Sequence, residues 1–524
     1  MAMSLGLIAF VIWPLDAIAA VCETAPSYTS TENKVHLAIC GGESIVLAPD
    51  EFISAEVLVR EITDEAYLSS LKSRGFSMRG GHILGEFNLR NRHFDIPTFQ
   101  ISSVFENVAD FSDSQFGGDV NLEGSTFLNG LLASRVDIEG SLLLGDTDDS
   151  QYDGWREPNG SSILFVRAPH ARVNGDLVIA GAKIDDEIDL SNSRIGGALT
   201  IMYVYAAHID VAATDIGNQL ILYDCSILPS KINQERSRDL NLYSIRTKQS
   251  VYINRVSVRD EIFLEGAEIE GDLIILGTHL SYMNARSANV SGSLSLGLNQ
   301  GTPLMWTSWT GHSILDLTNA RLGGIRSPEL LEVWPQLIEF HNLSFKSFSS
   351  DFCGASSCAH FESWYGDWLS RQGGERKSFE PYKEVIDLLL AQGQVLEALD
   401  LGVLGRDVER EDSYKHGEFV RYILLSLYRY TVGYGYKLYW VVYSILFFVV
   451  LGAFIFRQTP EARRRHMPVG LFYSFDLLIP IIRLREAHYK IDLKGNARYY
   501  FYFHKLVGWA LSLVLVAALS GIAK

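Results

Sequence analysis

Acidic side chains gather in short runs along this sequence, and paired carboxylates are the first chemistry to weigh. Asp185, Asp186 and Glu187 form one run, Asp260 and Glu261 another. Two carboxylates held a few ångströms apart can serve as the acid and base of glycoside hydrolysis. A polysaccharide-acting enzyme is therefore one expectation. All five residues fall at turn positions, where solvated charge is the plainer reading. A denser run holds Asp146, Asp148, Asp149 and Asp153. These could gather around calcium, but their spacing misses the EF-hand loop, and a solvated acidic loop again explains them.

Five cysteines are present. Cys353 and Cys358 lie close in sequence, and Cys22 and Cys40 flank the start of the expected mature chain. Two disulfides with Cys225 left over would suit an oxidising compartment. A zinc site lacks its second closely spaced Cys/His pair. Near the C-terminus, Asp476 sits in an apolar stretch, Gly470 to Arg485. A carboxylate at membrane depth needs a partner, and Arg483 or Arg485 is at hand. The stretch is too short to span. We expect a surface-lying amphipathic helix, with a re-entrant helix as the alternative.

Thr431-Val432-Gly433-Tyr434-Gly435 matches the potassium-channel filter signature. The apolar run 419–430 could imitate a pore helix, but no outer helix precedes it. A glycine-hinged turn that aims a following span is the plainer reading. No nucleotide-binding loop, H-E-x-x-H helix or G-x-S-x-G elbow occurs. No catalytic residue and no cofactor is expected from this sequence.

The elements that would position these groups follow from one period. Apolar residues recur every eleven positions at Ile83, Phe94, Phe105, Phe116, Phe127 and Ile138. The count resumes at Val173, Ile184 and Ile195. Four and six residues after most marks comes an apolar pair, such as Leu177/Ile179 or Leu199/Ile201. Period two puts both side chains on one face of a short strand. Glycine and polar turn residues separate mark from pair. One such unit cannot bury its apolar face alone, whereas stacked copies can. The fold expected is mainly β: a parallel β-solenoid of 11-residue units, two or three to a coil, then a helical hairpin and two transmembrane α-helices.

The boundaries follow. Residues 1–20 resemble a signal peptide, with a short apolar core and a small-residue cleavage site but no Lys or Arg before the core. Residues 21–80 form an N-terminal cap, with a helical patch over 63–72 capped by Thr63 or Asp64. The solenoid covers 81–330 and an aromatic C-terminal cap 331–376. A helical hairpin spans 377–416, and the membrane domain 417–524 has spans near 438–456 and 502–523. Basic residues crowd the segment between the spans, Arg463, Arg464 and Arg465 among them. The positive-inside rule places that segment in the cytoplasm and the solenoid on the far side. A net charge of −17 argues against nucleic acid as a partner.

The order of segments resembles a family of uncharacterised bacterial membrane proteins with solenoid repeats of the I-x-G-x-L-x-L type. Here the matching residues are Ile195-Gly196-Gly197-Ala198-Leu199-Thr200-Ile201, Trp334-Pro335, Phe379-Glu380-Pro381-Tyr382, Gly433-Tyr434-Gly435-Tyr436, and the stretch from Tyr473 to Pro480. The match covers most of the chain after residue 80. Members are often labelled membrane-associated oxidoreductase, a label that no residue here supports. Many begin without a signal peptide, which leaves their solenoid cytoplasmic. This chain departs from that in its first twenty residues. The resemblance implies a two-span protein of the bacterial inner membrane, here with the solenoid expected in the periplasm. Binding or scaffolding is the expected work, with membrane lipid and a protein partner or a second copy as partners. A subunit of an oligomeric channel is the other alternative.

Overall fold

The computed structural model describes residues 22–146, 161–227, 239–297, 306–328, 331–350, 361–459, 470–479, 484–490 and 493–522. The chain divides into two compact units, Met1–Gly311 and His312–Lys524.

The first unit is a parallel β-solenoid. One coil holds four short strands: Leu177–Ala180, Ala182–Ile184, Glu187–Asp189 and Arg194–Ile195. Each pairs in parallel with its counterpart in the next coil, as Leu177 with Leu199 and Ile195 with Ile216. A coil is thus two 11-residue units, and the marks alternate between opposite faces. Phe94, Phe116 and Ile138 stack on one face, and Ile83, Phe105 and Phe127 on the other. The rings of Phe105 and Phe127 lie parallel at 4.6 Å. Burying each such side chain contributes roughly 1.5–3 kcal/mol.

The corners explain the polar residues. Asn91, Asp113, Arg135, His170 and Asn192 take left-handed backbone angles, φ 56 to 59°, at one corner of successive coils. Immediately before such left-handed residues, the backbone N–H of Ser112, Ser191, Ala212 and Thr318 donates to the aspartate two residues earlier, Asp110, Asp189, Asp210 and Asp316, at 2.9 Å. These side-chain turns are local and repeat with the coil. Inside the wall, hydroxyls donate to carbonyls of the preceding coil, as Ser125 to Ile101 at 2.8 Å and Thr307 to Ile275 at 2.9 Å. The Cys225 thiol occupies this column, 3.4 Å from the Ile201 carbonyl. Burial pushes it up to about 12, so the unpaired cysteine is a structural thiol rather than a nucleophile.

The N-terminal cap differs from expectation in one place. Helix α1 (Ser30–Gly41) opens on a capping box of Thr29 and Glu32, and Cys22 is bonded to Cys40. The patch expected over 63–72 is split into α2 (Ala55–Thr63) and α3 (Leu68–Arg74). Asp64 caps no helix start: its carboxylate accepts the Ala66 N–H at 2.9 Å and shapes the turn between them.

The second unit carries further parallel pairs, Ile314 with Leu337 and Ile325 with Phe348. An aromatic cluster packs beside them, with Trp368 4.8 Å from Phe340 and 5.3 Å from Trp334. Helix α4 (Phe361–Ser370) supplies Trp368. The expected hairpin follows as α5 (Glu380–Ala391) and α6 (Val395–Lys415). Then come α7 (Phe419–Val432), α8 (Leu438–Arg457), α9 (Leu471–Leu478) and α10 (Asn496–Ile522). Helices α8 and α10 are long and apolar enough to cross a membrane over 439–457 and 496–516. The second therefore starts earlier than the 502 expected from hydropathy, because Tyr and Phe near its start continue the helix.

Candidate functional site

Among the described residues, three clusters of polar side chains bear on function, and the solenoid holds two. On the face formed by the fourth strand of each coil, the second residue points in and the first points out. The outward residues make a ladder of alternating charge: Arg194 lies 3.6 Å from Asp215, Asp215 2.8 Å from Arg246, and Arg246 3.6 Å from Glu268. Rungs are about 4.8 Å apart, so each charge meets both neighbours. Together with Lys248 and Glu270 from the adjoining turns, the ladder lines a groove of about 580 Å³. The side chains of Arg194, Arg246 and Glu268 are 63–72 % exposed. Ion pairs that exposed contribute about 0–1 kcal/mol each to stability, so folding does not account for the pattern. A groove of this kind can hold an extended partner that carries both charges.

The second place corrects an expectation. Of the acidic residues read as solvated, Glu187 is buried, and its carboxylate pairs with Arg167 at 2.6 Å. Asp186 pairs with the same guanidinium at 3.4 Å, while Asp185 stays exposed and Asp260 pairs with Arg259 at 2.6 Å. One coil on, His208 stands in register with Glu187, and Asp239 occupies the next rung, its carbonyl bonded to the Ile209 N–H at 3.0 Å. His208 and Asp239 are 8 % and 3 % exposed. Burial pushes the Asp239 carboxyl up, beyond what the N–H of Asp260 restores. Burial alone would raise Asp210 too, but hydrogen bonds from His208, Ala212 and Asn241 outweigh it and leave that carboxyl low. Sequence reasoning missed His208 and Asp239. Their adjacency spans an insertion of uneven length, and no spacing rule reports it.

A pH effect follows. Asp239 has a higher folded than unfolded value, so its contribution is complete below the unfolded value and is lost as pH rises through the folded one. At neutral pH the ionised form is a liability. Asp239→Asn, which keeps an oxygen for the Asp260 N–H, is expected to raise the melting temperature at pH 7. The gain should vanish near pH 4. A melting curve unchanged or lowered at pH 7 would count against the burial account.

The third place lies in the second unit. Asp476, on α9, is 1 % exposed. Its carboxylate accepts the backbone N–H of Leu484 at 2.7 Å and of Arg485 at 3.3 Å, and meets His488 Nδ1 at 2.9 Å. The Tyr489 hydroxyl donates to the Asp476 carbonyl at 2.7 Å. The expected guanidinium partner is thus replaced by main-chain donors and an imidazole: the Arg485 side chain is exposed, and Arg483 lies outside the described residues. Main-chain N–H groups of the returning segment reach the carboxylate directly, which leaves the arginine free to stay in a polar setting.

Helix α9 also does not lie apart as a surface helix. It packs against both α8 and α10, with Tyr473 5.4 Å from Phe456 and His504 Nε2 3.1 Å from the Ser474 carbonyl. Two glycines make this possible. A Cβ on Gly452 would come 2.2 Å from Ser474 Oγ, and one on Gly508 would come 1.7 Å from the Leu478 carbonyl oxygen. Gly508 is twelve residues into α10, ~18 Å along its axis. The end of α9 therefore reaches far along the second apolar helix.

The filter-like motif is a turn. Gly433 caps α7 in the left-handed region, Tyr434 follows at φ 56°, and the Tyr434 hydroxyl reaches Asp407 at 3.1 Å. Asp148, Asp149, Asp153, Cys353 and Cys358 lie outside the described residues. Among the described residues, Asp146 included, no group of three or more His, Cys, Asp or Glu is placed to hold a metal ion. No known family model matches the chain, and neither the curated proteins nor the solved structures searched give a match.

Proposed function

We propose that this protein is a membrane-anchored β-solenoid that binds or scaffolds a partner at the bacterial inner membrane. The observation that carries this reading is the exposed ladder Arg194–Asp215–Arg246–Glu268. Solenoids characteristically work through such extended surfaces, and the sequence offers no catalytic motif in its place. The alternating charge suits a polypeptide segment bearing both signs. We place the solenoid in the periplasm. The arginines between the spans favour a cytoplasmic location for that segment, and the Cys22–Cys40 bond suits an oxidising compartment.

The test uses the full chain in native membranes. A photo-crosslinking residue in place of Lys248 is expected to capture a discrete protein adduct. The adduct should disappear in Arg194→Glu/Arg246→Glu, which makes the ladder uniformly acidic. Absence of any adduct, or capture indifferent to the charge reversal, would sink the proposal.

A channel subunit is the second reading, favoured by α9 running between α8 and α10. A short helix returning between two spans is a common way to build a pore. Ion conductance by the reconstituted protein would support it, and electrically silent vesicles would remove it.

A further inference from the structure

Helix α7 has an apolar side that no described residue of its own unit covers. Phe419, Val420, Ile423, Leu424, Leu427 and Tyr430 are each 60–75 % exposed. Their spacing of three and four residues puts them on one stripe of the helix. The other side is fastened to α6. Arg421 bonds Glu409 at 2.5 Å, and Arg429 lies 3.2 Å from Asp407. Large apolar side chains exposed together mark a surface that meets something other than water.

We propose that α7 lies flat in the lipid interface, with this stripe facing the acyl chains. The proposal rests on α8 and α10 crossing the bilayer. Three observations select lipid as the occupant. The stripe adjoins the first apolar helix along the chain: α7 ends at the capped turn of Gly433, and α8 begins only five residues later, at Leu438. The first turns of α8 expose Tyr439 and Tyr443, side chains suited to headgroup level. Finally, α7 has 14 residues, ~21 Å of helix against roughly 30 Å of hydrocarbon, so it cannot cross. Arg421 and Arg429 on its far side then stay at the polar boundary. Such a helix sinks about 5–10 Å below the headgroups. Through its ion pairs it would hold α6 at the membrane surface and set the angle at which the chain enters α8.

The experiment incorporates p-benzoyl-phenylalanine into the full-length protein in phosphatidylcholine/phosphatidylglycerol vesicles. It is placed at Ile423, at Phe447 on the exposed side of α8, or at Glu411 on α6, and adducts are read by mass spectrometry. Phospholipid adducts are expected at Ile423 in yield of the same order as at Phe447, with little at Glu411. Lipid adducts at Phe447 but not at Ile423 would overturn the proposal while leaving the membrane anchor standing. A cross-link from Ile423 to a second copy of the chain would overturn it in favour of a protein interface. No lipid adduct at either position would remove the anchor as well.

Discussion

Replacing Asp476 by alanine is expected to release the segment that follows α9 and to lower the melting temperature of the protein sharply. The carboxylate is the shared acceptor for two backbone N–H groups and the His488 imidazole. Its removal leaves the buried His488 imidazole and two part-buried backbone N–H groups without their acceptor. An unsatisfied donor costs about 1–3 kcal/mol, and stripping one side of a buried charge-assisted cluster costs about 3–5 kcal/mol. Asp476→Asn keeps one acceptor oxygen and should fall between. The measurement is thermal unfolding of the full chain in detergent, with limited trypsin digestion alongside. New cleavage after Arg485 is the signature of a released segment. A variant that melts like the parent and resists trypsin would show that the carboxylate does not hold the turn.

Gly508→Leu should have the second large effect, and for a different reason. Even the first carbon of a side chain there would sit 1.7 Å from the Leu478 carbonyl oxygen, which is backbone and cannot swing aside. Overpacking of this kind costs about 1–3 kcal/mol and often more. Here the alternative to strain is expulsion of α9 from between its neighbours. Gly452→Ala should be milder, since the atoms it meets are side chains, the Ser474 hydroxyl and the His504 ring at 2.7 Å, rather than backbone. Gly470→Ala, with nothing among the described residues within 4 Å of the new carbon, is the control and should be silent. If Gly508→Leu and Gly470→Ala melt alike, α9 does not pack against α10 in the membrane.

The solenoid was legible because its core is a periodic object. Marks such as Phe94, Phe105 and Phe116 reveal the unit directly. They do not reveal how many units close a coil, because chain spacing is the same for any number. Only the pairing of Phe94 with Phe116, past Phe105, sets it at two. The acidic runs were misjudged for the same reason: Glu187 looks solvated in its own turn and is buried by its coil neighbours. At Asp476, residue types pointed to an arginine, whereas the donors are main-chain groups that every residue but proline carries. The split between α2 and α3 was missed because the Asx turn at Asp64 uses the same residue type that starts a helix.

The two-unit coil has a consequence for how this chain can change in length. A single 11-residue insertion would advance the winding by half a revolution, and every face beyond it would swap with its opposite. The Arg194–Glu268 ladder would be cut in two, one half on each side of the rod. An insertion of 22 residues would instead add one rung and leave the phase intact. The long excursions obey this constraint in another way. Leu142 pairs with Leu177, and Leu220 with Val251, across 35 and 31 residues, yet the winding resumes in step on either side. Extra chain is tolerated where the pairing on either side stays in register, and growth of the wall itself is allowed only in even numbers of units.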